Sequence, residues 1–331
     1  MSEQPTLVVK DLKKYFPIKL GFVKSLVSGD VPKVRAIDGV SFYIERGEVF
    51  GLVGESGCGK TTTGRCVIRL VEPTAGRIFF KGLDMMTLSE EELRYLRRKM
   101  QIVFQDPYES LNPRMSVYDI LAEPLQLQNV TKSPAEIIER ICKVMEDIDL
   151  VPPEEFLYRF PHEVSGGQRQ RVATARAFVL SPEFVVADEP VSMLDASIRT
   201  ESVKLMLHMV EKTHCSFLFI THDIALTRYM CNRIAVMYLG KIVETGSTDD
   251  VVQNAAHPYT SALIMAVPVP DPTSKRTKIV ISGELPSPVN PPKGCRFHTR
   301  CPYAKDRCRM EEPELVEISK GHFVACFFPL S

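Results

Sequence analysis

Eight consecutive residues have the types and spacing of a phosphate-binding loop. They follow the apolar run Val49–Val53 and fit the pattern G-x-x-x-x-G-K-[ST]: Gly54, Glu55, Ser56, Gly57, Cys58, Gly59, Lys60 and Thr61. Glycines let successive backbone N–H groups turn toward one phosphate, and a helix beginning near Thr61 would add partial positive charge. We predict that Lys60 contacts the β- and γ-phosphates of a nucleotide and that the Thr61 hydroxyl binds Mg²⁺. Thr62 completes the predicted contacts, and Cys58 is interpreted as a small filler of the loop, not as a nucleophile.

Two carboxylates follow another apolar run, residues 184–187, which we interpret as a buried strand. In a parallel sheet the carboxyl ends of the strands face the ligand crevice. Asp188 is therefore expected to hold Mg²⁺ through water, and Glu189 to polarise the water that attacks a phosphate. A general base must lie within hydrogen-bond reach of that water.

A third motif precedes a predicted helix and the acidic strand, and it consists of Ser165, Gly166, Gly167 and Gln168. With this motif in place, the chain resembles the ATP-binding subunits of ABC transporters. The resemblance implies that these four residues close on the γ-phosphate of ATP held by an opposite subunit. A second ABC ATPase subunit is therefore an expected partner, as a heterodimer or as a homodimer.

Further positions match the same family. Gln105 resembles the glutamine that touches Mg²⁺ and water and reports to the membrane subunits. Asp195 ends a segment that resembles the family's D-loop, with Met193 where alanine is usual. His222 resembles the switch histidine, which contacts the γ-phosphate and the residue corresponding to Glu189.

One aromatic residue near the first strand is expected to stack on adenine. Phe16 aligns best with the stacking residue of the family, and Tyr15 is the competing candidate.

The C-terminal part of the chain resembles one particular branch of the ABC transporter family. Residues 257–260, 283–288 and 295–302 resemble the extension of the oligopeptide/dipeptide importers, and the nucleotide motifs resemble the "F"-type subunit of that pair. This implies an ATPase on the cytoplasmic face of the cell membrane that powers peptide import. The implied partners are two integral-membrane permease subunits and, indirectly, an extracytoplasmic substrate-binding protein. Import of nickel or oligosaccharides remains an alternative. A soluble ABC ATPase acting on ribosomes or DNA is disfavoured, because such chains usually carry two cassettes or a long coiled coil.

Four cysteines beyond the proline-rich stretch are separated by five, six and seventeen residues: Cys295, Cys301, Cys308 and Cys326. A loop-rich tail of this kind has little hydrophobic core and needs a cross-link, such as a metal centre or disulfides, to stabilise it. Zinc sites usually show C-x₂₋₄-C spacing, which is absent, and disulfides are disfavoured in the cytosol. A 4Fe–4S cluster takes four cysteines with irregular spacing, and the importer resemblance also indicates it. Zinc and unligated thiols remain open, and His298 and His322 are interpreted as surface histidines.

Composition excludes several classes of protein. The chain has 331 residues, 44% of them hydrophobic, with 41 basic and 41 acidic side chains. Zero net charge argues against a nucleic-acid partner. No run approaches a membrane span, and residues 1–6 do not resemble a signal peptide. We therefore expect a cytosolic location.

The five remaining cysteines are expected to pack as small hydrophobic residues: Cys58, Cys66, Cys142, Cys215 and Cys231.

Together with the patterns along the chain, the resemblance implies an α/β fold: a P-loop ABC ATPase core, an inserted helical lobe, an antiparallel β region near the N-terminus and a small cysteine-rich extension. We predict a nucleotide-binding domain over 1–265, with the helical subdomain at about 106–170, and a linker with extension over 266–331. Strands are expected at 7–9, 35–44, 49–53, 77–80, 184–187 and 216–220, and residues 17–35 are interpreted mainly as a loop. Helices are expected from 61, 89, 133, 167 and 197. Ser89 with Glu92 predicts a capping box, and Ser133 with Glu136 predicts a second cap.

Overall fold

A computed structural model describes residues 4–18, 32–106, 110–131, 133–267 and 283–330. Most of the loop predicted at 17–35 and the proline-rich stretch 268–282 lie outside these residues. The strands are β1 (Leu7–Pro17), β2 (Lys33–Ile44), β3 (Val49–Val53), β4 (Ala75–Phe80), β5 (Leu83–Asp84), β6 (Met100–Val103), β7 (Phe184–Asp188), β8 (Ser216–Thr221), β9 (Arg233–Tyr238), β10 (Lys241–Ser247), β11 (Val316–Ser319) and β12 (His322–Val324). The α-helices are α1 (Lys60–Val67), α2 (Glu90–Arg97), α3 (Val117–Leu127), α4 (Pro134–Asp147), α5 (Gly166–Phe178), α6 (Ala196–Thr213), α7 (Ile224–Met230), α8 (Thr248–Gln253), α9 (Pro258–Ala266) and α10 (Asp306–Met310).

The chain forms two compact units. The first comprises Met1–Thr6, Ile44–Val49 and Met85–Ile220, and the second comprises Leu7–Tyr43, Phe50–Asp84 and Thr221–Ser331.

The first unit contains a parallel sheet with neighbouring strands β6, β7 and β8. Every residue of β7 and β8 is buried. A continuous apolar strand of this kind is typical of a parallel sheet covered on both faces. Helix α5 packs on β6, and α3, α4 and α6 pack on α5. This arrangement confirms the predicted α/β core with an inserted helical lobe, to which α3 and α4 belong.

The sequence predicts a serine cap for two helices of this unit, α2 and α4. Ser89 and Glu92 form the predicted capping box of α2. Ser133 lies at the N-cap of α4 with Pro134 after it, but the Ser133 side chain makes no cap hydrogen bond. The Glu136 carboxylate instead accepts a hydrogen bond from the Thr131 hydroxyl. The predicted N-cap position of Ser133 is therefore confirmed, but its side-chain hydrogen bond is absent and the glutamate binds a hydroxyl two residues upstream of the serine.

The second unit holds the remaining strands. In one sheet β1 pairs antiparallel with β4, β4 pairs antiparallel with β5, and β2 neighbours β1. This confirms the predicted antiparallel region. Among the other strands, β3 pairs parallel with β9. Strand β9 then pairs antiparallel with β10, β10 with β12, and β12 with β11. Strand β12 of the extension therefore joins a sheet built from residues far upstream, which the sequence patterns did not predict.

No helix among the described residues is both long enough and apolar enough to cross a membrane.

Candidate nucleotide-binding site

The predicted phosphate loop lies in the second unit, between strand β3 and helix α1. All five residues of β3 are buried, so the strand fixes the start of the loop. Helix α1 begins at Lys60 with Gly59 as its N-cap. Because the first N–H groups of a helix have no intrahelical acceptor, they are available to an anion at this end.

Two glycines let the loop pass close to its neighbours. A Cβ on Gly54 would lie 2.2 Å from the Met237 carbonyl oxygen, and one on Gly59 would lie 2.1 Å from the Ala36 carbonyl oxygen. Both glycines have positive φ, +156° and +109°. Any side chain at either position would therefore force the loop away from β2 or β9.

The lysine of the motif spans this loop. Lys60 is 4% exposed, and its Nζ donates hydrogen bonds to the carbonyl oxygens of Gly54 at 2.7 Å and Glu55 at 2.9 Å. The ammonium group is thus held against the backbone of the loop. Cys58 is buried, and burial raises the pKa of its thiol, which fits the interpretation as a filler.

The glutamate of the loop has two partners that sequence reasoning missed. The Glu55 N–H donates to the Tyr259 hydroxyl at 2.8 Å, and its carboxylate pairs with Arg300. Both partners lie in C-terminal segments that resemble the importer extension. Nothing in their local spacing connects them to residue 55.

Gln105 and Glu189 meet in the first unit. Asp188 is the last residue of β7 and is 2% exposed, and Glu189 follows it with φ of +46°. The Glu189 N–H donates to the Ile220 carbonyl oxygen at 3.0 Å. The Gln105 Nε2 donates to the Glu189 carboxylate at 3.3 Å. Asp188 and Glu189 therefore lie at the carboxyl end of a parallel strand, as predicted. The Gln105 side-chain amide contacts the second of them, Glu189.

The Ser-Gly-Gly-Gln motif begins helix α5. The Ser165 hydroxyl accepts from the Gln168 N–H at 3.3 Å, and the Gln168 Oε1 accepts from the Ser165 N–H at 2.9 Å. A Cβ on Gly167 would lie 3.1 Å from the Ile198 side chain. Ser165 is exposed, with Gly166 and Gly167 half-buried. This helix start can therefore be approached by another molecule.

The remaining predicted polar residues lie at the ends of other elements. Asp195 is the N-cap of α6 in the first unit and is exposed, and Met193 nearby is 63% exposed. His222 follows β8 in the second unit and is exposed. The next residue, Asp223, caps α7 by accepting from the Ala225 N–H at 3.0 Å.

The two aromatic candidates differ in their surroundings. The Tyr15 hydroxyl donates to the Asp38 carboxylate. Burial, together with that hydrogen bond, raises the pKa of Tyr15 to about 12. The Phe16 ring is 39% exposed, and the Lys14 Nζ lies 4.9 Å from its centroid. Of the two side chains, Phe16 is the more exposed.

The four C-terminal cysteines come together. They line a single small cavity of about 10 Å³: Cys295, Cys301, Cys308 and Cys326. Burial and the neighbouring thiols raise the pKa of Cys295 and of Cys326 to about 11. Within the part of the chain that the structure describes, no group of three or more His, Cys, Asp or Glu is arranged to hold a metal ion.

The two histidines considered as ligands differ in their exposure. His322 is 2% exposed, and its Nε2 is hydrogen-bonded to Glu244 at 2.8 Å. His298 is half-buried, and its Nδ1 is hydrogen-bonded to the Cys295 carbonyl oxygen at 2.8 Å. The surface interpretation is wrong for His322, which is buried against Glu244 of β10, whereas His298 remains partly exposed. Of the other cysteines, four are buried and Cys142 is half-buried.

Comparisons with known proteins agree with the motifs. Residues 37–192 match the ABC transporter family, and residues 243–308 match the C-terminal region of oligopeptide/dipeptide transporters. The oligopeptide transport ATP-binding protein AppF of Bacillus subtilis is 48% identical over 328 residues, covering 98% of each chain. An ATP-binding protein of Brucella ovis whose name assigns it to peptide import is 48% identical over 326 residues, again covering 98% of each chain.

Solved structures agree as well. A dimeric ATP-binding cassette in a post-hydrolysis state, bound to ADP and phosphate, is 27% identical with a TM-score of 0.63. The match covers 73% of this chain and 98% of that one. The chain belongs to the ATP-binding subunits of ABC transporters, which couple ATP hydrolysis to transport. Within that family it carries the C-terminal region of the oligopeptide/dipeptide branch, so the resemblance noted from its motifs is confirmed.

Proposed function

We propose that this chain powers the import of peptides across the cytoplasmic membrane as the ATP-hydrolysing subunit of an ABC transporter. The observation that carries the proposal is the end-to-end match, 98% of both chains, to a protein named for oligopeptide transport. The match of residues 243–308 to the oligopeptide/dipeptide transporter region supports it independently of the ATPase motifs.

In the proposed reaction, water attacks the γ-phosphorus of ATP and ADP leaves. Glu189 accepts the proton of the attacking water, and the Gln105 amide that contacts it orients its carboxylate. Lys60 and His222 stabilise the charge on the transferred phosphoryl group. Thr61, Gln105 and Asp188 are the residues that would hold Mg²⁺, which would supply positive charge for the phosphates when bound.

The exposed start of α5 supports a role in trans. We assign Ser165, Gly166, Gly167 and Gln168 to the nucleotide held by a second ATPase subunit, with Asp195 beside that interface. Two ATP molecules would then lie between two subunits, and closure would move two membrane permease subunits at the cytoplasmic face. A substrate-binding protein outside the membrane would supply the cargo.

The transport proposal is tested by reconstitution. The tagged chain would be purified with its membrane subunits and placed in proteoliposomes with the binding protein. We expect ATP-dependent uptake of labelled oligopeptides and stimulation of ATP hydrolysis by peptide. Uptake of nickel or oligosaccharide without peptide uptake would contradict the assigned cargo, and co-purification with ribosomes instead of membrane subunits would contradict a transport role.

The adenine contact gives a separate prediction. Phe16→Ala is expected to weaken binding of Mg-ATP about tenfold, because base–aromatic stacking contributes ~1–3 kcal/mol. Binding of Mg-tripolyphosphate, which has no base, should be unchanged. Isothermal titration with both ligands measures this. A loss of ATP affinity in Tyr15→Ala but not in Phe16→Ala would move the stacking role to Tyr15.

We further propose that the cysteine cavity holds a 4Fe–4S cluster as a structural staple. The support for this proposal is that four thiols, the donor type that such a cluster takes, line one cavity in a tail with short elements. Thiolates are the ligand form, so a bound cluster would oppose the raised pKa of Cys295, Cys301 and Cys326. A cluster spreads its four ligands around several irons, whereas a single zinc gathers them on one ion.

Metal analysis decides this proposal. Protein purified without oxygen should contain about four irons and four sulfides per chain. Cys301→Ser should lose most of that iron, whereas Cys142→Ser, which replaces a half-buried thiol outside the cavity, should keep it. One zinc per chain without iron, or neither metal, would contradict the cluster.

A further inference from the structure

The cysteine-rich extension contacts the phosphate loop directly. The Arg300 guanidinium forms two hydrogen bonds with the Glu55 carboxylate, at 2.8 Å from Nη1 and 3.2 Å from Nη2. The Arg300 side chain is 9% exposed and that of Glu55 is 28% exposed. Paired hydrogen bonds between charged groups with this little exposure are among the stronger polar contacts in proteins.

The extension is anchored firmly enough for Arg300 to hold the loop. The Phe297 ring is 1% exposed and packs against Tyr238 and Tyr259, with centroids 5.2 and 5.4 Å away. The buried Arg296 guanidinium pairs with the Asp38 carboxylate and donates to the Leu239 carbonyl oxygen. Arg300 therefore extends from a fixed segment, not from a free tail.

Glu55 is held at two points by C-terminal residues. Its N–H donates to the hydroxyl of Tyr259, which is fully buried, and its carboxylate is paired with Arg300. The backbone and the side chain of this loop residue are thus both fixed from outside the motif. The same loop carries Lys60, whose Nζ donates to the Glu55 carbonyl oxygen at 2.9 Å.

We propose that Arg300 is a positioning residue for the triphosphate, through which the C-terminal extension sets the affinity for ATP. This inference rests on the proposed function of the loop in binding nucleotide. Arg300 acts in two ways. It neutralises a carboxylate that would otherwise repel the phosphates at short range, and it fixes the loop in one conformation. Arg300 itself does not have to touch the nucleotide.

The two effects give different results in variants. Arg300→Gln leaves the Glu55 charge uncompensated beside the phosphates. Adding Glu55→Gln removes that charge, so the double variant should regain affinity relative to Arg300→Gln alone. If the ion pair only stabilised the fold, the double variant should bind no better than Arg300→Gln alone, because it does not restore the ion pair. Arg300→Lys keeps the charge but loses the paired geometry and should be intermediate.

The experiment measures dissociation constants for Mg-ATP and Mg-tripolyphosphate on the full-length protein. We expect Arg300→Gln to weaken both about tenfold, an effect that more salt reduces, and the double variant to recover most of the loss. The matched control is Arg307→Gln in the same extension, where Arg307 pairs with Glu311 at 2.9 Å and both side chains are more than half exposed. It should bind both ligands as the unsubstituted protein does.

The outcomes separate this inference from the function it rests on. Failure of the unsubstituted protein to bind Mg-ATP would contradict the proposed function itself. If that protein binds and Arg300→Gln binds equally well, the positioning role is wrong. It is also wrong if the double variant binds no better than Arg300→Gln. Thermal unfolding of each variant checks that the affinities are measured on folded protein.

Discussion

Glu189→Gln is expected to lower the turnover number for ATP hydrolysis by ~10²–10⁴-fold, the usual contribution of a general base. The amide has the shape of the carboxylate but cannot accept the proton of the attacking water. Binding of Mg-ATP should persist, because the change leaves the phosphate loop intact. With ATP present but not hydrolysed, the variant should accumulate as a closed dimer. Steady-state hydrolysis and size-exclusion chromatography with and without ATP measure both effects.

The same strand offers a matched control. Glu183 lies immediately before β7, at the opposite end from Glu189, and pairs with Lys99 at 3.0 Å. Glu183→Gln makes the same chemical change on a partly exposed ion pair, which contributes little to stability. Its turnover should stay within about twofold of the unsubstituted protein. A Glu189→Gln variant that hydrolyses ATP as fast as Glu183→Gln would show that Glu189 is not the base.

The parts of the site that could be predicted are those whose geometry is set by adjacent residues. The loop from Gly54 to Thr61 needs only a buried strand before it and a helix after it, and both are local patterns. The carboxylates at 188 and 189 follow an apolar strand, so their place at its end was also readable. The hydrogen bond between the Gln105 amide and the Glu189 carboxylate could not be predicted from local patterns, because the two residues are 84 positions apart in the sequence.

Local patterns also fail when a competing group lies beside them. Ser89 and Glu92 form the complete capping box of α2, with hydrogen bonds in both directions. At α4 the Thr131 hydroxyl binds Glu136, and Ser133 is left without its side-chain bond. Both sequences contain the same spacing of serine and glutamate. The difference is one neighbouring side chain, which a spacing rule does not consider.

The extension was the least predictable part, since its contacts are the most distant in sequence. Arg300 and Glu55 are 245 residues apart, and His322 and Glu244 are 78 apart. Strand β12 pairs with β10 across the proline-rich stretch. The cysteine spacing indicated a common ligand, but it gave no sign that the same segment also reaches the phosphate loop. A sequence interpretation therefore separates the extension from the ATPase core, whereas the structure joins them through Glu55.

Gly59→Ala should weaken binding of Mg-ATP by about 10²-fold, from overpacking and positive-φ costs that together reach ~2–5 kcal/mol. The added Cβ would lie 2.1 Å from the Ala36 carbonyl oxygen and 2.8 Å from the Met237 methyl group, at a φ of +109°. A methionine side chain can move, but the carbonyl of a paired strand cannot move far. The loop must therefore shift from β2 and carry with it the start of α1, where Lys60 and Thr61 lie.

Gly57→Ala separates the steric effect from backbone strain. Gly57 also has a positive φ, +79°, but its Cβ would meet nothing closer than a Leu285 methyl group at 3.9 Å. This variant carries only the cost of the left-handed backbone, ~1–2 kcal/mol, so its affinity should fall by about tenfold. Titration with Mg-ATP and thermal unfolding of both variants measure the difference. Equal losses at the two positions would mean that the close approach of Gly59 to Ala36 does not shape the site, because the strain they share would then explain the whole effect.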